Sequence, residues 1–115
     1  MNFELQNIED YTKDLSWMLK ALAQLEKEFS TEDWLFIKPV HPATAFTEIC
    51  EQLYPKLANA ISEKGDHYTK HLLYTIDISE SQVAKAAALA VDLDFTLLLT
   101  KLIVRRCLQK VLIRN

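Results

Sequence analysis

An all-α fold, a compact bundle of four or five helices in one domain spanning 1–115, is what the sequence predicts. Three observations lead there. At least four segments repeat their apolar residues at helical spacing. The 115 residues include one glycine, Gly65, and no Asn-Gly or Asp-Gly pair, the turn chemistry of a multi-hairpin β fold. A chain of this length also closes a single hydrophobic core. The lone glycine excludes glycine-rich phosphate cradles, dinucleotide fingerprints and nucleophile elbows, each of which needs two or more.

The first element is a heptad register. Ile8, Leu15, Leu22 and Phe29 recur every seven residues, with Tyr11, Met18 and Leu25 three positions after the first three and Lys13, Lys20 and Lys27 on the outward side. The pattern predicts a helix over about 8–29, with Asn7 as N-cap and Glu9 and Asp10 at the positive end of its dipole. Its seam serves either this bundle or another chain. Ser30-Thr31-Glu32-Asp33 then offers a second cap and a short helical turn over Trp34 to Ile37, before Pro39 and Pro42 impose an extended linker near 38–42.

From Pro42, the residues Phe46, Ile49, Cys50, Leu53, Leu57 and Ile61 fall on one helical face as far as Gly65, with a kink expected near Pro55. The stretch Asp66 to Ile78 is ambiguous. Its alternation suits a strand over 68–78, but Leu73 interrupts it and no partner strand is evident, so a short helix over 67–75 capped by Asp66 is favoured. Ser79-Glu80-Ser81-Gln82 reads as a capping box with Ile78 and Val83 as its hydrophobic staple. The alanines from Ala84 to Ala90 then give a narrow helix that a neighbour can approach closely. Asp92 and Asp94 are caps for a last helix whose apolar residues, Phe95 to Leu112, cover most of its circumference. Such a helix needs neighbours on nearly every side, which makes it the central helix or an oligomer interface.

Residues 1–57 carry ten acids and five bases (net −5), and residues 58–115 carry six acids and eight bases (net +2). Arg106, Lys110 and Arg114 form one stripe at i, i+4, i+8, suited to an acidic partner, to the chain's own acidic half, or to phosphates. Together with Leu98 and Leu102 they are the candidate interaction residues. His67 and His71 are weak candidates for a metal site, since no further ligand set accompanies them. Cys50 and Cys107 lie on apolar faces, as structural thiols do. No catalytic set and no cofactor are expected.

The start, with Glu4, Glu9 and Asp10, lacks the pattern of a signal peptide, and Asp92, Asp94, Lys101 and Arg105 break the C-terminal apolar runs. A cytoplasmic protein that does not span a membrane is expected. The functional expectation is a non-enzymatic domain that acts through protein association, with itself as a homo-oligomer or with another protein. The alternative is a small nucleic-acid-associated regulator using the basic C-terminal helix, and the third reading is a metal-binding or catalytic bundle.

Overall fold

A computed structural model describes residues 8–114 of the chain. In chain order it has α1 (Ile8–Tyr11), α2 (Leu15–Glu28), a 3-10 turn (Ser30–Glu32), α3 (Ala45–Ile76), α4 (Glu80–Leu89) and α5 (Phe95–Arg114). The described residues contain no strand. No helix among them is long and apolar enough to cross a membrane.

The heptad seam is real but divided. Ile8, Met18, Leu22, Leu25 and Phe29 are buried while Lys13, Lys20 and Lys27 are exposed, as a single helical face requires. The expected continuous helix nevertheless breaks before Leu15, because Asp14 takes an extended conformation and its carboxylate accepts a hydrogen bond from the Trp17 N–H at 3.2 Å. A short acidic side chain competes with helical backbone bonds in this way. Asn7, the expected cap, lies outside the described residues. The seam faces α5 of its own chain, the largest helix–helix contact in the fold, with α3 the next to pack on α5.

The helical turn expected at Trp34 to Ile37 forms earlier, at Ser30–Glu32, and ends at Asp33 in the left-handed region (φ 56°). Residues 34–41 then run without helix, turn or bend. Their inward side chains are Trp34, stacked on Phe29 with centroids 4.7 Å apart, Phe36, under the Lys56 ammonium at 5.4 Å, and the buried Pro39.

In α3 the break falls at Gly65 (φ 76°, ψ −167°), whereas Pro55 keeps helical dihedrals. Proline removes one backbone donor there on an exposed face, and the helix tolerates it. The strand alternative for 68–78 is overturned: the chain resumes a helix after Gly65 and continues it to Ile76. Leu73, the residue that spoiled the alternation, is buried with Leu72 and Ile76, and Tyr74 is turned out. The helix ends in a Schellman motif, in which the Ile78 N–H donates to the Leu73 carbonyl (2.9 Å) and the Asp77 N–H to that of Tyr74 (3.2 Å). Asp77 occupies the left-handed position usually held by glycine.

A Cβ at Gly65 would meet no atom within 4 Å, so the effect of Gly65→Ala is the backbone's alone. Those dihedrals are essentially restricted to glycine, and the variant should lose about 1–3 kcal/mol in urea unfolding. An unchanged midpoint would show that α3 runs straight through this position.

The capping box of α4 is complete: Ser79 Oγ accepts from the Gln82 N–H (3.1 Å), and Gln82 Oε1 accepts from the Ser79 N–H (2.8 Å). Ile78 is buried and Val83 packs on the core. The alanine helix lies against α5, with Ala86 and Ala90 half-buried, but α4 has no fully buried residue and leaves Ala84, Ala87 and Ala88 exposed. Of the two aspartates before α5, Asp94 is the cap, accepting from the Leu97 N–H at 2.8 Å, and Asp92 stands exposed in the turn. Helix α5 is the axis of the bundle, touched by all four other helices and buried along its length from Leu98 to Leu112.

Candidate interaction surfaces

The basic stripe of α5 is engaged with the rest of the chain. Arg106 donates from Nη2 to Asp77 Oδ2 (2.8 Å) and from Nε to the Asp77 carbonyl (3.1 Å), so it holds the turn between α3 and α4. Lys110 pairs with Glu28 of α2, and Arg114 donates to Gln24 Oε1 of the same helix at 2.6 Å. Arg105 pairs with Glu9 of α1. The acidic N-terminal half thus supplies Glu9 and Glu28 as counter-ions. Lys101 is different: it is exposed, and its ammonium makes no hydrogen bond or ion pair among the described residues.

Leu98 and Leu102 floor a groove of about 540 Å³ between α4 and α5, to which Phe46 and Leu93 also contribute. Gln82, Ala86 and Leu89 of α4 and the capping residue Ala90 line its other side, where the two small alanine side chains leave space unfilled. Lys101 and Arg105 stand at its rim. On the other side of Lys101 lies a second, more apolar depression lined by Cys50, Tyr54 and Leu97. Sequence periodicity finds Leu98 and Leu102 but not the groove, because the groove depends on where α4 comes to rest.

The chemistry of the polar groups is quiet. Burial pushes both Cys50 and Cys107 up to about 12, well above the ordinary thiol value. Because these values are raised, the stability gained from keeping the thiols neutral is present below pH 9 and lost as pH rises through about 12. In the folded protein at neutral pH neither thiol should react with a charged disulfide reagent within minutes, while both should do so in denaturant. Rapid titration of one thiol in the native state would contradict the packing around it. The Tyr54 hydroxyl donates to Asp94 Oδ2 at 3.0 Å, and that hydrogen bond raises its pKa.

His67 and His71 lie one turn apart on the second arm of α3, both exposed. The described residues include no group of three or more His, Cys, Asp or Glu able to hold a metal ion.

Three features escaped the sequence pattern. The apolar run Trp34-Leu35-Phe36-Ile37 conceals an in–out alternation, since both faces are hydrophobic. Gln52 bonds to the main chain of Ile37, fifteen residues away. Asp77 ends a helix where glycine would be looked for. No protein-family model matches the chain, and comparison with curated proteins and with solved structures gives no match.

Proposed function

We propose that the protein is a non-enzymatic cytoplasmic domain that works by protein association, first of all with a second copy of itself. One observation carries this reading: most of the exposed large aliphatic side chains fall in two short stretches, with Ile113 apart from them. Leu35, Ile37 and Val40 are 86%, 80% and 70% exposed, and Leu89 and Val91 are 89% and 79% exposed. Single exposed leucines are ordinary, but clusters of them are characteristic of contact surfaces.

The reason for association differs from the one the sequence suggested. Helix α5 is covered by its own chain and does not require a partner to shield it. The exposed aliphatics of the 34–41 segment and of the end of α4 supply the driving force instead. The basic stripe gives no support to the nucleic-acid alternative, because Arg106, Lys110 and Arg114 already bond to side chains of this chain.

Sedimentation equilibrium tests the reading. The mass should rise above 13.3 kDa with loading concentration and hold in high salt, since apolar burial survives salt that would disperse a phosphate complex. A 13.3 kDa particle at every concentration would reject self-association.

A further inference from the structure

The 34–41 segment is held to the helices partly through its main chain. Gln52 of α3 grips the peptide groups of Ile37 twice: Gln52 Oε1 accepts from the Ile37 N–H at 2.6 Å, and Gln52 Nε2 donates to the Ile37 carbonyl at 2.8 Å. A residue on an adjacent antiparallel strand would form the same pair of bonds. The amide of Gln52 therefore occupies one edge of the segment as a strand one residue long.

In an extended chain the N–H and C=O of one residue address one edge, and those of its two neighbours address the other. With Ile37 turned to α3, the main-chain groups of Phe36 and Lys38 address the opposite edge. Among the described residues neither has a hydrogen-bond partner for its N–H or C=O. The prolines do not blunt this edge. Pro39 and Pro42 both lie beyond Lys38, so neither removes a donor from the Phe36–Lys38 edge, and the buried side chain of Pro39 ends the in–out alternation there.

We propose that this free edge pairs with the same edge of a second copy, antiparallel about Ile37, to form a two-stranded ribbon across a two-fold axis. The inference rests on the self-association proposed above and names the surface that mediates it. In this register Phe36 of one copy lies opposite Lys38 of the other, and each pair exchanges two N–H···O=C bonds, so every free donor meets a free acceptor. Ile37 meets Ile37 as the central non-hydrogen-bonded pair, the position of closest strand approach, which covers side chains that each copy leaves 80% exposed. The contact is isologous and closes on itself: the other edge is occupied by Gln52, so pairing stops at two and does not propagate as a fibre.

Residue-resolved amide exchange on the unmodified protein, at concentrations spanning its association, reads this directly. The Phe36 and Lys38 amides should slow by about tenfold or more as the dimer fills, in proportion to its population. Lys38→Pro removes the free-edge donor at an exposed position and should weaken association about tenfold or more with the helical circular dichroism unchanged. Lys38→Ala, which keeps the donor, should associate as the parent does. A dimer whose Phe36 and Lys38 amides exchange at a concentration-independent rate, or one that Lys38→Pro leaves equally tight, overturns the strand pairing and leaves self-association standing on another surface. A monomer at every concentration removes both, and protection of these amides only on adding an extended peptide would assign the edge to another protein.

Discussion

Leu99→Ala is expected to lower the unfolding free energy by about 3–5 kcal/mol. Leu99 has no exposed surface and sits on the one helix that all the others touch. Shortening it removes apolar contact and leaves a cavity whose walls belong to elements fixed elsewhere, so the site has little freedom to collapse. For a domain with a total stability of about 5–15 kcal/mol, this is a third or more of the margin in most of that range. Urea unfolding followed by circular dichroism should show a lower midpoint with an unchanged slope. Leu102→Ala, at a partly exposed position on the groove floor, should cost less than half as much. Equal losses at the two sites would mean that the Leu102 face of α5 is as enclosed as the Leu99 face.

Lys110→Met is expected to destabilise by about 2 kcal/mol, because it strands the Glu28 carboxylate. The two side chains are 21% and 13% exposed, shielded enough that an unpaired charge is costly and solvated enough to keep the loss below that of a fully buried pair. The informative comparison is the double variant. Replacing Glu28 with leucine together with Lys110→Met should return stability to within about 1 kcal/mol of the parent, since apolar contact then substitutes for the pair without leaving a lone charge. A double-mutant cycle measures the coupling. The Arg105–Glu9 pair, 41% and 61% exposed, should contribute less than about 0.5 kcal/mol by the same cycle. If the double variant is as unstable as the singles, the pair is needed for how α2 sits on α5 and not merely for charge balance.

Much of this architecture was legible because its causes are local. The heptad face of α1 and α2, the capping box at Ser79 and the stop at Gly65 each depend on residues within a turn or two of one another. Misreadings arose where two local signals competed. At 66–78 the alternation of Tyr68, Leu72, Tyr74 and Ile76 suggests a strand, yet burial of Leu72, Leu73 and Ile76 together fits only a helix. At Asp14 an acidic side chain with a free backbone donor three residues ahead outweighed an unbroken heptad pattern. At Pro55 the penalty that predicts a kink was absorbed, and the bend moved ten residues on to Gly65.

The candidate surfaces were less legible. Leu98 and Leu102 stand out by spacing, whereas the groove above them exists because α4 presents Ala86 and Ala90 to α5. The free edge at Phe36 and Lys38 depends on Gln52, which no pattern within the segment announces.

By itself, then, the sequence determined the helical class, the helix starts at Ser79 and Asp94 and the inward faces of α2 and of the first arm of α3, because backbone bonds and apolar periodicity act over three to five residues. The tertiary structure alone decided that α5 is enclosed by its own chain, that Arg106, Lys110 and Arg114 meet Asp77, Glu28 and Gln24, and which aliphatics stay outside. Those partners lie 29, 82 and 90 residues apart along the chain, and a charge or a leucine carries no local record of which distant helix will come to rest beside it.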